Sequence, residues 1–291
     1  MSGQNTLGRT SSFDRRTRGD DSVGGAPARG RVRVRIRTVA LPVEHGGWSL
    51  TLEPVALGLL VAPSPAGFLL ALATVGGFLA RHPFKIVAAD RRHGRRFPRT
   101  AVAERFLLLY GGVALASGLA AAAIAPDYSF LLPMLAALPF VSAQLAYDAA
   151  GRGRALLPEL AGSFGLAAVS ASIAMAGGWP LIPSLGLWAL LAARALPSIL
   201  YVRARLGRLH GETPRTFPAV VAHVAALMLV ALLAWTGVAP PVAAAAFAIL
   251  LLRAAAGLFA GDAEGSAKRV GVSEVCYGVM TVAVVAAGYL L

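Results

Sequence analysis

His45, Ser49 and Glu53 recur every four residues within Leu41 to Gly58, a stretch reading LPVEHGGWSLTLEPVALG. On a helix that spacing places an imidazole, a hydroxyl and a carboxylate on one face. Such groups can exchange protons, and with Glu44 beside them they make Glu44, His45 and Glu53 the candidate catalytic residues. A carboxylate two turns into a membrane helix costs about 2.5–3.5 kcal/mol near mid-bilayer unless it is paired, protonated or hydrated. Two readings meet that cost. Either Glu53 pairs with one neighbouring Arg at a polar helix end, or this face lines a polar cavity open to one side of the membrane.

Further along the chain, polar residues repeat at helical spacing. Gln144 and Asp148 are four apart, as are Glu159 and Ser163, while Arg194, Ser198, Tyr201 and Arg205 share one helix face. Arg81, His82 and Lys85 mark the end of an apolar segment, and Glu274 opens the last one. Each taken singly fits a structural ion pair or a cation reaching the headgroups. Together they suggest one shared pocket, with Arg81, His82, Lys85, Asp148, Glu159, Arg194, Tyr201, Arg203 and Glu274 as candidate substrate-binding residues. Arg81, Lys85, Arg194 and Arg203 would clamp an anion, because arginine donates two hydrogen bonds from a planar fork. The acids Glu44, Asp148, Glu159 and Glu274 could also neutralise those four.

Soluble-enzyme templates are missing. There is no P-loop, no G-x-G-x-x-G after a strand, no C-x-x-C and no H-E-x-x-H. The five histidines are scattered, so no metal site is expected. Lone Cys276 excludes a disulfide framework.

The elements that must position these residues follow from composition. Of 291 residues 57% are hydrophobic and only 14% charged, with mean hydropathy +0.67; ordinary soluble domains carry about 25% charge. The expected fold class is an all-α polytopic membrane protein. Residues 1–38 hold nine Arg and little to bury, and are expected to form a disordered basic tail. The end of that tail, RGRVRVRIRTV, would lie on anionic lipid headgroups. The first 40 residues contain no apolar h-region, so no cleavable signal peptide is expected. Residues 39–291 form the transmembrane helical domain, with about nine spans near 46–62, 65–87, 101–124, 129–148, 156–177, 182–204, 217–236, 240–260 and 271–290.

The net charge of +13 would suit a nucleic-acid partner, but the placement of the charges argues for lipid instead. The 27 Lys and Arg fall in the tail, in alternate connections or in the spans that flank those connections, and the short breaker groups PSP, APD, GGWP and TGVAPP carry none. With nine spans the positive-inside rule then gives a cytoplasmic N-terminus and an outside C-terminus in the inner membrane. The acids follow the bases: beyond the tail only Asp127 is expected outside.

The P-x-E-H-G-x-W opening at Pro42–Trp48, followed by Pro54 and Gly58, resembles the signature of the YwiC-like family of bacterial integral membrane proteins. RHPFK at 81–85, RGRALLPELAG at 152–162 and RALPSILYVRARL at 194–206 look like that family too, so the resemblance runs over roughly 41 to 290. It implies architecture rather than a reaction. A more distant likeness is to UbiA-type prenyltransferases, which implies a nine-helix bundle with its active site open to the cytoplasm. Those enzymes hold magnesium on aspartates after the second and sixth helices. Here the comparable stretches read RHPFKIVAAD and RALPSILYVRAR, so Arg and Lys stand where carboxylates would be.

Three functions fit this sequence. The first is a UbiA-like membrane enzyme acting on a lipid-soluble or phosphorylated substrate. The second is a transporter or small-molecule binding protein using the same cavity. The third is a structural or assembly factor whose charges tie helices together.

Overall fold

The computed structural model describes residues 35–42, 45–213, 215–259 and 266–291. The expected tail therefore lies, up to residue 34, outside the described residues. Ten helices follow in order: α1 Ile36–Ala40, α2 His45–Val61, α3 Pro65–Arg92, α4 Pro98–Ile124, α5 Leu131–Ala149, α6 Leu156–Ala176, α7 Leu181–Leu209, α8 Thr216–Trp235, α9 Val242–Phe259 and α10 Ala267–Leu290. Among the described residues there is no strand. The nine expected spans correspond to α2 through α10, and the chain is an all-α polytopic membrane protein. α3 to α10 are each long and apolar enough to cross a bilayer, whereas α2 has a shorter apolar run.

Two helices run past their expected ends. α3 continues to Arg92 and α7 to Leu209, each adding residues rich in Arg. Charge forbids those turns in hydrocarbon but not in the headgroup layer, and Arg near a helix C-terminus is favourable to the dipole.

The breaker groups make tight turns. Ser64 caps α3 by accepting from the amide of Gly67 at 3.0 Å, with Pro65 at the first helical position. α6 stops at Gly177 and Gly178, and Gly178 has φ +88°, where glycine escapes the Cβ clash. These turns define a short-loop end of the bundle. The opposite, basic end carries the Arg-rich connections.

α7 is the central helix. It packs against α2, α6, α8, α9 and α10, which follow one another around it as an arc from α6 through α2, α10 and α9 to α8, while α3, α4 and α5 stand outside α2 and α6. Burial follows this arrangement: 61% of the apolar window of α6 and of α7 is buried, against 11% for α4 and 17% for α5. Leu57, Leu187, Leu190, Val230, Phe247, Leu250 and Val285 fill the space around α7 toward the short-loop end. At Arg194 the inward face of α7 changes from apolar to polar.

Candidate functional site

Arg194 is 2% exposed and lies about 20 Å from the short-loop end of its helix, taking 1.5 Å per residue. Its Nη1 stands 2.8 Å from Glu53 Oε2 on α2, and its Nη2 donates to the Glu274 carbonyl of α10 at 3.1 Å. The Ser49 hydroxyl, one turn before Glu53, donates to Glu53 Oε1. The face shared by Ser49 and Glu53 thus turns inward, toward α7.

The Glu274 carboxylate is held from α9. Arg253 Nη1 donates to Glu274 Oε1 and Arg253 Nη2 to Oε2 at 3.4 Å. The Arg253 guanidinium also lies 4.1 Å from the ring centre of Tyr201 and 4.9 Å from that of Tyr277. Both contacts are cation–π interactions in a desolvated setting. His223 of α8 meets Tyr201 edge to face, with ring centres 6.4 Å apart. Its Nδ1 lies 2.7 Å from the Ala219 carbonyl, so Nδ1 carries the proton and Nε2 is the bare acceptor in the neutral ring.

Two acids and two arginines on α2, α7, α9 and α10 therefore form a neutral network. Removing one partner of such a buried pair costs about 3–5 kcal/mol, whereas replacing both by apolar residues is often neutral. Several atoms around it have no hydrogen-bond partner among the described residues: Arg194 Nε, Arg253 Nε, Ser198 Oγ and His223 Nε2. Two glycines admit the large side chains. A methyl group at Gly278 would overlap Glu53 Oε1, and one at Gly257 would overlap the Tyr201 hydroxyl.

The other candidate residues group elsewhere. Arg81 of α3 holds Asp148 of α5 through two bonds, Nε to Oδ2 at 2.6 Å and Nη2 to Oδ1 at 3.2 Å. His82 Nε2 meets the Thr38 carbonyl of α1 at 3.1 Å. Glu159 at the start of α6 pairs with Arg203 of α7 at 2.8 Å, and both are more than a third exposed. Lys85 lines a cavity with Asp148 at the basic end. Glu44 lies outside the described residues, as does the side chain of His45, which opens α2.

Glu53, Arg194, Tyr201 and Glu274 thus come together, while Arg81, Lys85 and Asp148 meet at a second place and Glu159 and Arg203 at a third. Each of Arg81, Arg194 and Arg203 faces its own carboxylate. Sequence reasoning missed Arg253, Tyr277 and His223. Arg253 was detectable as the one cation within VAAAAFAILLLRAAAGLF, where loop charge is no explanation. Among the described residues no three His, Cys, Asp or Glu side chains gather as a metal site would require.

Comparison with known proteins adds a family. Residues 41–174 match the YwiC-like protein family. The match is narrower than the span of 41 to 290 expected from the motifs, and covers just under half the chain. The YwiC-like stretch takes in α2 to α5 and most of α6, with Glu53, Arg81, Asp148 and Glu159 inside it. Arg194, Arg253 and Glu274 lie beyond it. No curated protein and no solved structure matches the chain.

Proposed function

We propose that this protein is a membrane enzyme of UbiA-like arrangement, acting on a lipid-soluble or phosphorylated substrate at the buried network. One observation carries the reading. Two ion pairs on four helices are buried, and among the described residues the guanidinium Nε, hydroxyl and imidazole atoms in or beside them have no hydrogen-bond partner. Buried pairs are a weak source of stability compared with well-packed apolar residues, so their presence at membrane depth points to use.

Glu53 is the acid–base group in this scheme. Its carboxylate takes a proton from the substrate, and the electron pair stays behind on the substrate as an anion. Protonation leaves Arg194, 2.8 Å away, without its counter-charge. The guanidinium then faces the new anion in a site where water does not screen it. Glu274 and Arg253 hold the far side of the network still. The same reading sets the basic end in the cytoplasm of the inner membrane, as the positive-inside rule directs.

The test uses a deletion strain of the native host, complemented with the wild-type chain or with Glu53→Gln. Glutamine keeps the shape and the Ser49 bond but cannot take the proton. Lipid and metabolite profiles should return to normal with the wild type and stay at the deletion profile with Glu53→Gln, at equal protein level in the membrane. Full restoration by Glu53→Gln, or by an apolar replacement of both Glu53 and Arg194, would leave the pair as a structural tie and overturn the proposal.

A further inference from the structure

At the basic end, α3, α5 and the connection into α6 enclose a cavity of about 540 Å³. Lys85, Ala89 and Arg92 enter it from one face of the last two turns of α3, at intervals of four and three residues. Asp148 closes it from the end of α5, and residues 151–155 form the remaining wall. None of these residues belongs to the buried network, so a ligand held in this cavity is independent of the enzyme reading.

The loop is shaped around charge. Gly151 has φ +72°, and a methyl group there would stand 2.6 Å from Arg92 Nη2, so the guanidinium lies flat over the glycine. At Gly153 a methyl would overlap Asp148 Oδ1. The glycines thus make room for one guanidinium and one carboxylate side by side. That carboxylate is already taken, because Arg81 grips it with two bonds. Arg92, Arg152 and Arg154 are exposed, and among the described residues no carboxylate pairs with any of them. The Arg152 guanidinium lies over the ring of Tyr147, 5.9 Å from its centre.

We propose that this cavity is a binding site for a phosphate group, carried by a soluble small molecule or by a lipid headgroup. Three arginines that line one cavity, with no carboxylate paired to any of them among the described residues, present the planar, always-charged donors that phosphate oxygens accept in pairs. α6 begins at the rim with no side chain capping it, so its first amides add the positive end of a helix dipole. The volume exceeds what one inorganic phosphate fills and falls within the range of small-ligand pockets, about 300–1,000 Å³. Loop arginines also satisfy the positive-inside rule by simply meeting solvent. That alternative needs neither the cavity nor the glycines under Arg92 and Asp148.

The full-length chain, purified in a neutral detergent, is titrated with pyrophosphate by calorimetry. In parallel it is placed in nanodiscs of phosphatidylcholine with or without phosphatidic acid, and retained lipid is read by native mass spectrometry. Arg152→Gln/Arg154→Gln is compared with Lys268→Gln/Arg269→Gln, which removes the same charge from exposed positions at the start of α10. The expected result is a Kd for pyrophosphate, or for phosphatidic acid, weakened about tenfold or more by the first pair, roughly 1.4 kcal/mol. The second pair should change it less than about twofold. Pyrophosphate alone identifies a soluble source and phosphatidic acid alone a headgroup, and each supports the site. Binding of neither probe, or equal weakening by both pairs, overturns it. Since Glu53→Gln leaves this cavity intact, loss of phosphate binding and loss of the network's activity are separable.

Discussion

Gly278 of α10 lies directly against the Glu53 carboxylate of α2. A methyl group added there would overlap Glu53 Oε1 and stand 2.8 Å from Arg194 Nη2. The ion pair therefore occupies the volume that a side chain on α10 would otherwise fill, and the two features should be tested together.

Gly278→Ala should lower stability by about 1–3 kcal/mol through overpacking. Gly271→Ala, in the same helix but with nothing within 4 Å, should leave stability unchanged or raise it by up to ~1 kcal/mol through helix propensity. Thermal unfolding of both variants in one detergent checks this. Equal behaviour would mean that the glycine does not make room for the pair.

Arg194→Met alone should cost about 3–5 kcal/mol by stranding Glu53 without its partner. The double variant Glu53→Leu/Arg194→Met should recover most of that loss. If the double variant unfolds no later than the single one, the pair is not the unit that sets the cost.

Pairs at different depths should differ in worth. Asp148→Asn, whose side chain is fully buried against Arg81, should cost about 1–3 kcal/mol because an amide cannot accept both guanidinium bonds. Glu159→Gln, at a side chain 37% exposed, should change stability by less than about 1 kcal/mol. Reversal of that order in denaturant titrations would contradict the burial of Asp148.

A reporter active only in the cytoplasm should stay silent when fused after Leu291, and light up when fused within the Arg-rich connection between α3 and α4. A cytoplasmic signal at Leu291 would mean that one helix does not cross.

The helices are legible in the sequence because apolar length is a physical requirement of the bilayer, which α3 to α10 meet, while α2 is a shorter apolar helix whose ends still lie within a residue of those expected. Arg-rich ends are less legible: α3 and α7 continue where hydropathy stops, since a helix needs only its own hydrogen bonds once it has left hydrocarbon. The inward face of Ser49 and Glu53 is readable from spacing alone. Which cation meets Glu53 is not, because that depends on α7 packing between α2 and the other helices around it. Periodicity within one segment carries no information on the order of helices around another. Arg253 escapes for a different reason: hydropathy groups it with the loop charges, although its helix places it beside Tyr201 and Glu274.

The lengths of α2 and α3 have a consequence for where water can stand. A turn of three residues joins them at the short-loop end, so they start level there. At 1.5 Å per residue, the 17 residues of α2 reach about 25 Å and the 28 of α3 about 42 Å. Without tilt, α2 therefore begins some 16 Å beneath the top of its neighbour, about 5 Å short of a hydrocarbon layer roughly 30 Å thick. The basic end is therefore stepped where α2 and α3 lie side by side, with α2 the lower of the two. Glu53 sits two turns below that step, about 12 Å along the axis of α2, against about 42 Å for the length of α3.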